Sequence, residues 1–178
     1  MFFRPVLLAC ALALAPTVVT VVTTGVAHAD DDAQKAKSVK DQGGQYLDAE
    51  GNPTFKINGD TVDYYTYAGY IRYHSDCHVC HGPDAMGSTY APALKDSMKH
   101  ISYSDFISIV AGGKQDLGGG KEKVMPAFGN NKNVYCYMDA LYTYLRARAV
   151  GDMPRGRPPH HEPKPQAAKD HEKECMGG

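Results

Sequence analysis

Cys77-His78-Val79-Cys80-His81 is the stretch on which the reading of this chain turns. Two thiols three residues apart, followed at once by an imidazole, form the C-x-x-C-H pattern by which a porphyrin is attached to a polypeptide. The spacing follows from the chemistry. The thiols add to two vinyl groups on one edge of the ring, and the next side chain must bring a nitrogen beneath the iron. A structural zinc would need four ligands, usually with a second Cys/His pair at similar spacing, and the sequence shows no such pair. A thioredoxin-like dithiol wants a βαβ context, whereas this motif closes a run with helical spacing. One covalent haem c is expected, attached through Cys77 and Cys80, with His81 as an iron ligand.

The flanks read as helices. Asp63 is placed to cap one. Tyr65, Ala68, Gly69, Ile71 and Tyr73 then put apolar or small groups on one side. Glycine costs a helix about 1 kcal/mol relative to alanine, so Gly69 suggests another backbone passing close by. A second helix is expected over 103–110, with Ser102 as cap, Asp105 as its capping-box partner and Gly112-Gly113 as its stop. The last helix is expected over 134–149, with Tyr137, Ala140, Leu141, Tyr144 and Leu145 on its apolar face.

The sixth iron ligand must come from elsewhere. The candidates are Met86, Met98, Met125, Met138, Met153 and Met176, with His100 as the best non-methionine alternative. Met125 is favoured. It follows a loop holding Gly118-Gly119-Gly120, which can carry it across to the distal face, and Pro126 fixes the backbone just beyond it.

The outer segments differ in character. Residues 1–29 read as a secretory signal: Arg4, an apolar run, then Ala27-His28-Ala29 before an acidic stretch. The rival reading is an uncleaved anchor. Residues 30–45 are polar. Gly51-Asn52-Pro53 and Asn58-Gly59 are turn signals around Thr54-Phe55-Lys56-Ile57, which suggests a small hairpin. After Gly151 the chain becomes proline-rich and charged, which predicts an extended tail rather than more helix. Of the five cysteines, Cys10 lies in the signal and two belong to the haem motif. Cys136 and Cys175 remain as an even pair in an oxidising compartment, and a disulfide between them is expected. The formal net charge of −1 and the lack of a basic stripe argue against a nucleic-acid partner.

Several stretches carry a family resemblance. Gly69, Tyr73 and Cys77 at four-residue intervals, Tyr144-Leu145, His81-Gly82-Pro83 with Ala91-Pro92-Ala93-Leu94, and Val124-Met125-Pro126-Ala127-Phe128 resemble the class I cytochromes c. The resemblance implies an all-α fold around one haem, with the Pro92 carbonyl orienting the His81 Nδ1–H. It spans residues 60–150, after an extension at 30–59 and before a tail at 151–178. A closer similarity is to the four-cysteine, methanol-metabolism-related c-type cytochromes of methylotrophic bacteria. It rests on Asp63-Tyr64-Tyr65-Thr66-Tyr67, Arg72-Tyr73-His74, the haem motif, Met125-Pro126-Ala127-Phe128-Gly129, Cys136-Tyr137, Tyr144-Leu145-Arg146-Ala147-Arg148 and Cys175. It implies a periplasmic one-electron carrier, not an enzyme; a monomer is expected as well. Such a carrier would accept electrons from a quinoprotein methanol or alcohol dehydrogenase and pass them to a downstream cytochrome or oxidase. The alternatives are a peroxidase-like haem enzyme with an open distal site, and a metal-binding module using His160, His161 and His171.

Overall fold

A computed structural model of the chain describes residues 36–38, 40–116 and 123–177. The expected signal at 1–29 and the glycine run at 118–120 lie outside the described residues.

Asp63 caps the first long helix, α1 (Tyr64–Asp76), as its position predicts. Its Oδ1 accepts the Thr66 N–H at 2.9 Å, and its Oδ2 accepts the Lys56 N–H at 2.9 Å and the Thr66 hydroxyl at 2.5 Å. The carboxyl is fully buried. Burial pushes its pKa up, and the three hydrogen bonds pull the other way. A single helical turn, α2 (His78–His81), continues α1 after a break at Cys77. Next come α3 (Leu94–Ser97) and α4 (Tyr103–Gly112), the latter capped by Ser102, which accepts the Asp105 N–H.

The expected last helix is two helices, α5 (Lys132–Tyr135) and α6 (Met138–Val150). Cys136 and Tyr137 separate them. Cys136 N–H bonds back to Lys132 O and Val134 O, which tightens the end of α5, and Tyr137 leaves helical geometry at φ −125°, ψ 22°. The apolar pattern ran through this break because both pieces bury the same side.

Helices α1 and α6 cross at Gly69. A Cβ there would sit 1.9 Å from Ala140 O and 2.7 Å from Tyr144 Cβ. This is the close backbone that a mid-helix glycine suggests. Gly69→Ala is expected to destabilise the fold by about 2–3 kcal/mol, since overpacking outweighs the gain in helix propensity. Urea denaturation checks it, and an unchanged midpoint would contradict the crossing.

The all-α expectation needs correction, because the described residues also hold eight short strands. Strands β1 (Lys40–Gln42), β2 (Gln45–Leu47) and β3 (Pro53–Thr54) form one antiparallel sheet. Strands β4 (Ile57–Asn58) and β5 (Thr61–Val62) pair across Asn58-Gly59, as the turn signal predicts. Strands β6 (Lys114–Asp116) and β7 (Lys123–Met125) form a third pair, with Lys114 opposite Met125. The eighth, β8 (His160–His161), lies in the tail and adds in parallel to β5. These strands follow backbone groups that need partners where the chain lies over the helices.

The tail is only partly extended. Helix α7 (Gln166–Met176) ends it, contrary to the expectation. The last proline, Pro165, stands at its N-cap, and the following residues are mostly good helix formers with no glycine before Gly177. Cys136 and Cys175 are paired, with Cα atoms 5.8 Å apart, which fastens α7 beside the break between α5 and α6. Tyr67 stacks on His161 at 3.8 Å, and Met153 is buried.

Candidate haem site

The turn α2 carries both thiols and the imidazole. Hydrogen bonds from Cys80 N–H (3.2 Å) and His81 N–H (3.0 Å) to Cys77 O close it. Residues three and four apart on a helical turn share one side, so Cys77 lies on the side of Cys80 and on that of His81, with Cys80 exposed and His81 buried. Neither cysteine is in a disulfide. Cys80 is exposed. Burial, then the nearby Asp76, push the half-buried Cys77 thiol up to about 12. A dithiol oxidoreductase needs the opposite shift.

His81 is buried, and its Nδ1 lies 2.9 Å from Pro92 O. Only a donor fits against a carbonyl, so Nδ1 carries the proton and Nε2 keeps the lone pair. The proximal contact that the family resemblance implies is thus present as geometry. The backbone beyond His81 is closely wound. Gly87 N–H bonds to His81 O at 2.7 Å, and a Cβ on Gly82 (φ +72°) would lie 2.1 Å from Gly87 O. The Tyr73 hydroxyl, fully buried, donates to Gly82 O at 2.5 Å. Burial, the largest effect, raises the Tyr73 pKa and keeps that donor protonated.

Met125 ends β7 and is half-buried. Phe128 N–H to Val110 O (2.9 Å) and Gly129 N–H to Ala111 O (3.0 Å) tie its loop to α4. Met125 packs against the same apolar cluster as Cys77, Leu94 and Ile107, around buried Phe106 and Leu141. The other candidates sit differently. Met98, Met138 and Met153 are buried core residues, Met86 is 39 % exposed, Met176 lies in α7 and His100 is exposed. The donor set fits a haem: two free thiols on one turn, an imidazole with its lone pair on Nε2, and a thioether bordering the same apolar cluster.

Sequence reasoning missed a network beside this site. Asp84 and Ala85 are consecutive non-glycine residues with left-handed backbone, φ 57° and 63°. Such conformations cost about 1–3 kcal/mol each and persist only when surroundings impose them. At Asp84 the surroundings are plain. Its carboxylate accepts the Gly156 N–H (3.0 Å) and Arg155 Nε (3.3 Å), its carbonyl accepts Arg148 Nε (3.1 Å), and its N–H donates to His74 Nε2 (3.4 Å). Burial alone would raise its pKa, but the Gly156 amide and the Arg155 guanidinium prevail and hold it below the usual carboxylate range. No local signal announces these partners, which lie up to 72 residues away.

Two cavities lie elsewhere. One of about 630 Å³ is bordered by Tyr65, Tyr103, Asp139 and His171, and one of about 460 Å³ by His100, Tyr142 and Arg146. Neither is lined by Cys77, His81 or Met125.

No established family profile matches the chain. It is 51% identical over 138 residues to cytochrome c-553I of Paracoccus denitrificans, covering 77% of this chain and 61% of that protein. The chain thus spans about three fifths of that relative's length. It is 36% identical over 111 residues to cytochrome c-555 of Methylococcus capsulatus, covering 62% of this chain and 81% of that one. The crystal structure of the c-type cytochrome XoxG from Methylobacterium extorquens AM1 superposes with a TM-score of 0.78 at 56% identity, covering 82% of this chain and 90% of that one.

Proposed function

Because the chain belongs to the class I c-type cytochromes of methylotrophic bacteria, which carry covalent haem c, we propose that it is a periplasmic one-electron carrier. In this reading Cys77 and Cys80 would hold the haem through two thioethers, and His81 and Met125 would ligate its iron. The bound haem supplies an iron couple that takes up and releases one electron.

The protein's own residues set the conditions for that couple. The observation that carries the reading is the His81 Nδ1 contact with Pro92 O, made from a turn that also bears two free thiols. It fixes the tautomer, aims Nε2 and strengthens it as a donor. A thioether from Met125 favours the reduced state and raises the potential. With His81 and Met125 both holding the iron, no position would be left for a substrate, which supports transfer rather than catalysis. The Cys136–Cys175 pair and the signal read in residues 1–29 support an oxidising, extracytoplasmic compartment. Among the described residues no helix is long and apolar enough to cross a membrane.

The electron donor in this proposal is a quinoprotein methanol or alcohol dehydrogenase, supported by the resemblance to methanol-metabolism-related cytochromes. The contact would be small and brief, as redox encounters are. Stopped-flow mixing of the oxidised protein with such a dehydrogenase and its alcohol tests the pairing. Haem reduction is expected with a second-order rate constant on the order of 10⁵–10⁷ M⁻¹s⁻¹. Reduction no faster than without alcohol would remove this donor from the proposal.

A further inference from the structure

The turn after His81 is held from outside by three separate parts of the chain. His74 comes from α1. Its Nδ1 lies 2.8 Å from Tyr70 O, which makes Nδ1 the protonated nitrogen and leaves Nε2 to accept the Asp84 N–H. Arg148 comes from α6. Its guanidinium donates to Asp84 O, to Met153 O and, at 3.7 Å, to Met86 Sδ. Arg155 and Gly156 come from the C-terminal tail and hold the Asp84 carboxylate. All of them converge on Pro83–Met86, which lies between His81 and Gly87. Gly87 N–H closes back on His81 O at 2.7 Å.

We infer that Asp84 is a positioning residue: through it the C-terminal tail braces the turn after His81 and so keeps the His81 imidazole in place. The inference rests on the ligand reading above. Asp84 touches neither the ring nitrogen nor the thiols, and acts by fixing backbone. A tail serving only as cover would have no reason to place a guanidinium and an amide on the carboxylate of a left-handed residue. Asp tolerates that conformation better than most side chains, and its carboxylate offers two acceptor oxygens. The tail supplies two donors for them.

The test compares Asp84→Gly with Asp84→Asn in the haem-loaded protein. Glycine adopts φ +57° freely, so it removes the carboxylate while relieving strain, and the fold is retained. Asparagine also tolerates this backbone and keeps an acceptor for the Gly156 N–H. Both remove the negative charge, so charge alone cannot separate them. The readout is solvent exchange of the His81 Nδ1–H, followed by NMR in the ferrous protein, with α6 amides as the reference for global opening.

Losing a hydrogen-bonded charge that braces the turn is expected to speed that exchange about tenfold or more in Asp84→Gly, with the α6 amides unchanged. Asp84→Asn should stay within about threefold of wild type, because it loses only part of the brace. Arg155→Ala, made at an exposed site on the tail side, removes the contact that Asp84→Asn also loses, and should move the rate in the same direction by no more than about threefold. An Asp84→Gly rate equal to wild type overturns the inference. Equal acceleration in Asp84→Gly and Asp84→Asn overturns it too, since then only the charge mattered. If ferric wild-type protein shows no haem-shifted His81 ring resonances, the ligand reading fails first and takes the inference with it.

Discussion

Cys77→Ala and Cys80→Ala are each expected to weaken haem staining after denaturing electrophoresis, since one thioether remains, and the double variant is expected to show none. Each thiol supplies one thioether. Once the chain is denatured, only those bonds keep the porphyrin on it. His81→Ala should retain the stain, because the thioethers remain, but lose the low-spin spectrum, because the buried ring that Pro92 orients is gone. The two classes of variant therefore separate attachment from ligation. An unstained wild-type band in protein matured in an oxidising compartment would sink the attachment claim. The same loss in all three variants would show only that folding had failed.

Met125→Ala should remove the weak sulfur-to-iron charge-transfer band of the ferric protein and lower the reduction potential. The thioether is the part of the donor set that favours ferrous iron. A shift of about 59 mV corresponds to a tenfold change in the ferric-to-ferrous preference of a one-electron couple, and at least that much is expected. Met98→Ala and Met138→Ala serve as controls of a different kind. Both side chains are buried in the core, so their truncation should cost stability, about 2–5 kcal/mol, while the band persists. A band that survives Met125→Ala would assign the sixth position to another residue. A high-spin spectrum in the wild-type protein would favour the open-site enzyme.

Much of the site was legible because its rules are local. Helix geometry alone brings Cys80 and His81 each to the side of Cys77 on one turn. Asp63 and Ser102 cap their helices within three residues of their own position. Gly69 advertised a close crossing because little else makes glycine worthwhile within a helix. The misreadings have equally specific causes. Apolar periodicity ran unbroken through 134–149, yet Cys136 and Tyr137 interrupt the helix where backbone bonds tighten. Proline content in the tail described residues 151–165 and hid the helix-forming run after Pro165. The strands are only two or three residues long, below what alternation can reveal.

The sequence alone put two thiols and an imidazole at haem-attachment spacing, marked the caps of two helices, and left two cysteines to be joined. The first two depend on spacings of a few residues, where covalent geometry and helix pitch leave little choice; the third follows by elimination, across 39 residues. Tertiary structure decided the rest: the Pro92 carbonyl against His81, the tail strand beside β5, and the left-handed turn at Asp84. Arg148 and Gly156 reach Asp84 across 64 and 72 residues. A donor and an acceptor that far apart find each other only after the helices have packed, so no pattern along the chain records their meeting.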